Sequence, residues 1–82
     1  VVQMVISLDK LQNGCAATVL SIKTNASLKQ RLMDIGFVKG ATVKAVHQSP
    51  SGNPRAYLIK GVVIALRNCD ASEIVVEVES DE

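Results

Sequence analysis

Ser27-Leu-Lys-Gln-Arg-Leu-Met-Asp-Ile-Gly-Phe-Val-Lys-Gly40 decides the reading of this chain. It spells a capped short helix, a glycine stop, a tight turn and the approach to a strand. Ser27 is placed as the N-cap, and Gln30 three residues on completes a capping box. Leu28, Leu32 and Ile35 recur at helical spacing, with Met33 flanking the stripe. Gly36 suits the left-handed position that ends a helix, where a side chain would be penalised. Phe37 then follows as the residue that touches Leu32 in a Schellman motif. Gly40 closes a second turn before a strand that begins near Ala41. The unit holds no nucleophile, metal cluster or phosphate loop.

Upstream, Ser7-Leu-Asp-Lys-Leu-Gln-Asn-Gly14 reads as one helical turn capped by Ser7, with Asp9 in its first turn and Leu8 and Leu11 on one face. Gly14 stops it. Ala16 to Lys23 is the first strand, with Thr18, Leu20 and Ile22 alternating against Ala17, Val19 and Ser21. Downstream, Ala41 to Gln48 and Arg55 to Ile59 are the second and third strands. The turn-forming run Gln48-Ser-Pro-Ser-Gly-Asn-Pro54 joins them as a mobile hairpin tip. Lys60-Gly61 makes a two-residue turn into the fourth strand, Val62 to Arg67. Asn68 to Glu73 is a bend or single helical turn, with Asp70 and Glu73 at capping-box spacing. Ile74 to Val78 is the last strand, and 79–82 form a frayed tail. Short strands, glycine turns and one helix define a mainly β, small barrel of about five strands, with one short α-helix inserted after the first strand.

Three blocks of the chain resemble the FeoA family. "RLMDIGFVKGATV" is similar to its Arg-Leu-x-x-Leu-Gly-hydrophobic-x-x-Gly-x-x-hydrophobic core. Gly61-Val-Val-Ile-Ala-Leu-Arg67, followed by Ala71-x-x-Ile74-x-Val76, is similar to its Gly-x-x-Ile-Ala-Leu-Arg and Ala-x-x-Ile-x-Val ending. Leu8-x-x-Leu11-x-x-Gly14 fits its opening. The matches run in order over residues 8 to 78. The resemblance implies an SH3-like barrel with a helical insertion, and a small cytoplasmic protein of bacterial ferrous iron uptake. Its implied partner is the membrane ferrous iron permease, which carries a cytosolic G domain; the protein would reach the inner face of the membrane through it. A second implication is an SH3-like C-terminal regulatory domain of an iron- or manganese-dependent transcriptional repressor. This sequence has no winged-helix segment, so that role needs further residues. A third reading is a self-associating module, in which Val1, Met4 and Val5 or an unpaired edge strand join copies.

Size and composition agree with a binding module. Eighty-two residues make one domain, which buries roughly 60–65% of its unfolded-chain surface. The 48% hydrophobic content includes one Tyr and one Phe and no Trp. Base-stacking surfaces need several aromatic rings, so nucleic acid is not an expected partner. There is no apolar run of about 18 residues, and the opening Val1-Val-Gln-Met-Val-Ile6 lacks the basic flank of a signal peptide. The chain begins at Val1 rather than Met, which leaves trimming from a longer chain open.

Net charge is +1, but the charges are segregated. All nine Lys and Arg lie between Lys10 and Arg67, where Asp34 is the only acid, and six of eight acids follow. One reading is a basic face for an anionic partner; the other is that the barrel folds the acidic last strand against basic neighbours. Asp34 near the helix C-terminus opposes the macrodipole by about 0.3–1 kcal/mol, partly offset by Arg31. A residue that breaks a local rule can serve a partner. The expected partner-binding residues are therefore Lys29, Arg31, Asp34 and Lys39 on the helix and following turn, with Arg55 near the hairpin tip.

Catalysis needs convergent polar groups. His47, the lone histidine, has no orienting carboxylate nearby in sequence and reads as a solvent-facing strand residue. Cys15 and Cys69 form no CxxC pair and read as reduced, partly buried small hydrophobes. With His47 they lack metal-site spacing, and neither GxxxxGK[ST] nor GxGxxG is present. No cofactor, no intrinsic metal site and no enzymatic activity are expected.

Overall fold

Six strands, three of them consecutive, are interspersed with a 3-10 turn and two helices. The structure, a computed structural model, describes residues 2–48, 50 and 52–80, the side chains of 2, 3, 47, 48, 79 and 80 excepted. The elements are β1 (Val2–Ser7), a 3-10 turn (Leu8–Lys10), β2 (Ala16–Ile22), α1 (Ala26–Ile35), β3 (Thr42–Gln48), β4 (Arg55–Ile59), β5 (Val62–Leu66), α2 (Asn68–Ala71) and β6 (Ile74–Ser80). The strands form one six-stranded sheet in the order β1-β6-β2-β3-β4-β5, every pairing antiparallel. The mainly β architecture with one principal helix is the expected one.

The opening residues add a strand to the expected set. β1 pairs with β6 from Val2↔Ser80 to Ser7↔Val75. The helix consequently follows the second strand, not the first. The chain end expected to fray at 79–82 is strand through Ser80, where β6 lies opposite β1, Gln3 against Glu79 and Val2 against Ser80; Asp81 and Glu82 lie outside the described residues, as do Val1, Ser49, Ser51 and the His47 side chain.

The core gathers the inward residues of β2 to β6 with Leu8 and Leu11 at the 3-10 turn, Leu32 of α1 and Phe37 after it, and Ala71 of α2. Strict alternation in β4 buries Arg55, Tyr57 and Ile59 and leaves Ala56 and Leu58 half-buried, as period-2 geometry requires. Facing neighbours complete the layer: Val43 opposite Ile59, Ala45 opposite Tyr57, Val19 opposite Val76 and Ile22 opposite Ile74. In β2 the simple alternation fails after Val19. Leu20 is the extra residue of a bulge between Val19 and Ser21. The inserted residue flips the sequence parity, so Ser21 turns outward and Ile22 joins Ala17 and Val19 in the core.

α1 starts two residues earlier than the capping-box reading. Asn25 is the N-cap: its side-chain oxygen accepts from the Leu28 backbone N–H at 2.8 Å. Ser27 is thereby inside the helix, and Gln30 donates to Asp34 at 2.8 Å instead of reaching back to the cap. The stop is the expected Schellman motif. Phe37 N donates to Leu32 O at 3.0 Å and Gly36 N to Met33 O at 3.1 Å, with Gly36 at φ 132°. Leu32 and Phe37 are fully buried and Leu28 is half-buried, whereas Ile35 is 41% exposed. Ile35 shares the helical face of Leu28 and Leu32 but is the last residue of α1.

The β4–β5 connection is the expected tight turn, with both Lys60 (φ 50°) and Gly61 (φ 80°) left-handed as a type I′ turn demands. α2 is a single turn with Arg67 at its N-cap and Asp70 in its first turn; Asp70 and Glu73 do not form a capping box. Asn68 ties α2 to the hairpin tip: its N–H donates to Asn53 Oδ1 and its side-chain amide to Gly52 O.

Candidate functional site

Two of the five expected partner-binding residues converge on a groove. The groove, about 260 Å³, runs between β2 on one side and α1 with its following turn on the other. Leu20, Met33 and Val38 supply apolar walls, and Lys29 and Lys39 stand at its margin. Helix geometry explains the selection. Lys29 and Met33 are four residues apart and share a face. Arg31 is half a turn away from that face, and Asp34 lies three residues beyond Arg31 on the opposite side. Both are exposed and neither lines the groove. Asp34 takes its hydrogen bond from Gln30 rather than from Arg31.

The groove's apolar walls went unread in the sequence apart from Met33. Lys29 and Met33 at i, i+4 carried a signal for that face, but Leu20 and Val38 come together with it only through tertiary structure. The charged side chains lining the groove are both ammonium groups, with no carboxylate among its lining residues. Ammonium groups beside apolar walls are the chemistry that suits an anionic, partly apolar ligand.

Arg55 has a different place from the one expected. It is 6% exposed, and its guanidinium points into the protein. Nη1 donates to Asp9 O at 2.9 Å; Nη2 donates to Leu11 O at 2.6 Å and to Asn13 Oδ1 at 2.8 Å. The carbonyls belong to the end of the 3-10 turn, where helical oxygens lack internal partners. The guanidinium also lies 5.5 Å from the centroid of the Tyr57 ring, within cation–π range. Arg55 is thus a clamp between β4 and the 3-10 turn. Tyr57 is fully buried, and its Oη has no hydrogen-bond partner among the described residues. Burial pushes its phenol above the ordinary value, with the Arg55 charge pulling the other way.

The remaining candidates stay apart. Cys15 is half-buried and Cys69 is exposed rather than partly buried; both are free thiols. No group of three or more His, Cys, Asp or Glu suited to a metal ion occurs among the described residues. Among the described residues, Glu77 of β6 lies opposite Val5 and Thr18 rather than a basic residue, and the ion pair seen there, Arg67–Asp70 at 3.6 Å, is local. Among the described residues, no helix is long and apolar enough to cross a membrane.

An antiparallel sheet with a capped helix, and a lysine-edged apolar groove between them, define a small SH3-like domain. The FeoA domain model matches residues 6–78, and the chain belongs to the FeoA family. It is 32% identical over 73 residues to a Porphyromonas gingivalis protein described as an Fe(2+) transport protein A/Fe(2+) transporter FeoB fusion. That match covers 89% of this chain and 9% of the fusion protein. Among solved structures, the FeoA protein of Chlorobium tepidum superposes with a TM-score of 0.86 at 30% identity, over 94% of this chain and 73% of that one. FeoA of Stenotrophomonas maltophilia, solved with zinc and described as a prokaryotic SH3 domain protein, gives 0.78 at 32%, over 87% and 88%. A manganese-dependent transcriptional repressor gives 0.82 at 15%, over 96% of this chain and 44% of that one. That last likeness carries the fold and not a function.

Proposed function

We propose that this chain is a non-enzymatic accessory component of bacterial ferrous iron uptake that docks on the cytosolic side of the ferrous iron permease. One observation carries the reading: in the fusion relative, a segment similar to this chain is joined in one polypeptide to an Fe(2+) transporter. Covalent tethering makes docking intramolecular, at an effective concentration in the millimolar range for short flexible linkers. A free domain has to replace the tether with contact energy and with a favourable encounter rate.

The groove suits that task. Its ammonium groups raise the on-rate and set orientation, and its apolar walls slow departure. The Arg55 clamp and the sheet pairings hold the domain ready, so little ordering cost falls on binding. The mechanism is then differential affinity: the domain favours whichever permease conformation it binds more tightly.

The test is co-purification. Tagged domain is used as bait on detergent-solubilised membranes of the source cells, and purified permease is then mixed with purified domain. The reading predicts stoichiometric recovery of the permease in both. Failure of the purified permease to bind contradicts it.

A further inference from the structure

β2 outruns β3. The two strands pair over Ala16–Thr18. Val19 then makes the last exchange, donating to Ala41 O at 2.8 Å and accepting from Gly40 N at 2.8 Å. Beyond it, β2 is held by β6 alone, Ser21 opposite Val75 and Ile22 opposite Ile74. On the other flank of Leu20–Ile22 the chain has diverged into the turn at Val38 and Lys39, and no described residue pairs there. That unpaired edge borders the groove in front of α1. The bulge at Leu20 aims this part of the strand differently from the regular ladder.

An unpaired strand edge beside a groove is a template for strand addition. The walls specify the added strand. Successive residues of an extended segment point to opposite sides. The set facing the groove would meet Leu20, Met33 and Val38, and acidic residues flanking it would come within reach of Lys29 and Lys39, where carboxylates are favoured and lysines repelled. We propose that the Leu20–Ile22 edge receives a short extended protein segment of alternating apolar and acidic residues, added as a strand to β2. The source of the segment rests on the docking reading above: it is a cytosolic stretch of the permease.

The probe is acetyl-Glu-Val-Glu-Val-Glu-amide, titrated into isotope-labelled domain with backbone amide shifts as readout. Its companions are the same peptide with alternate backbone nitrogens methylated, its all-lysine counterpart, and inorganic phosphate. The expected result is saturable shifts at Leu20, Ser21, Ile22, Met33 and Val38. Methylation, or the Lys29→Glu/Lys39→Glu double variant, weakens binding by about tenfold or more, since main-chain bonds give affinity and charges give selectivity. Silence at Leu20–Ile22, equal binding of the methylated peptide, or the same shifts with phosphate alone overturns the proposal. Because both lysines are exposed, the double variant retains the fold, which its amide spectrum verifies. The intact permease separates the two claims. If it binds the wild type and the double variant equally, the groove assignment is wrong and the docking reading stands. If the peptide occupies the edge and the permease does not bind, the docking reading falls and the strand-addition site stands.

Discussion

Arg55 reaches back across 44 residues to Leu11, its Nη2 donating to the Leu11 carbonyl at 2.6 Å. This bond and its companions to Asp9 O and Asn13 Oδ1 fasten the first third of the chain onto β4. Arg55→Ala leaves those acceptors under a hole and removes a charged donor. Bonds to charged groups are worth about 1.5–3 kcal/mol, and the expected loss is about 2–4 kcal/mol in denaturant unfolding. Arg55→Lys restores the charge but not the fork, and recovers less than half. Unchanged midpoints in both variants would show that the clamp is ornamental.

Tyr57→Phe has the opposite sign. The buried Oη lacks a partner among the described residues, and a buried unsatisfied polar atom costs about 1–3 kcal/mol. The variant keeps the ring beside Arg55 and is expected to be neutral or more stable by about 1 kcal/mol at pH 7. Its pH dependence follows from linkage. The folded-state pKa is raised by burial, so the neutral phenol's contribution is complete below the unfolded value of about 10 and is lost as pH rises through the folded value. Wild type therefore loses stability above about pH 10 more steeply than Tyr57→Phe. Parallel alkaline curves would remove Tyr57 as the cause.

At the end of α1, Gly36→Ala meets two obstacles at once. The backbone stands at φ 132°, and an added Cβ would lie 3.4 Å from Lys60 Cδ. The side-chain contact can yield, because it is the flexible part of a lysine. The backbone strain cannot. The expected destabilisation is about 1–2 kcal/mol, and Lys60→Ala in the same chain should not relieve it. Full rescue by the second substitution would place the cost in the contact instead.

Leu32 and Ile35 differ by one helical turn in sequence and entirely in burial, 2% against 41% exposed. Leu32→Ala should cost about 2–4 kcal/mol as a core truncation, and Leu32→Asp should unfold the domain. Ile35→Ala should stay within about 0.5 kcal/mol. Cooperative thermal unfolding retained in Leu32→Asp would refute the placement of α1.

What the sequence made legible was local chemistry. The Schellman stop at Gly36–Phe37 and the Lys60-Gly61 turn depend on neighbours within a few residues, and each stands where its pattern put it. What stayed hidden was decided at a distance. Val2–Ser7 shows no polar–apolar alternation, since Met4, Val5 and Ile6 are consecutive apolar residues; in the fold it is a strand paired with β6. The cap is Asn25 rather than the Ser27 of the sequence reading, and the earlier cap gives α1 two further helical residues. Parity in β2 broke at a bulge that no composition marks. Arg55 beside a turn-rich tip looks solvent-facing until the Asp9–Asn13 segment is folded against it. Of the candidate site, Lys29 and Lys39 were readable from their turn and helix face, whereas the apolar walls required β2 and α1 to meet.

The most direct measurement is calorimetric titration of purified domain into purified, detergent-solubilised ferrous iron permease at low and at physiological salt. The account predicts saturable binding that weakens as salt rises, because exposed lysines are screened over about 8–10 Å. Absence of binding at domain concentrations up to about 100 μM, where even a weak specific complex would saturate appreciably, would contradict it.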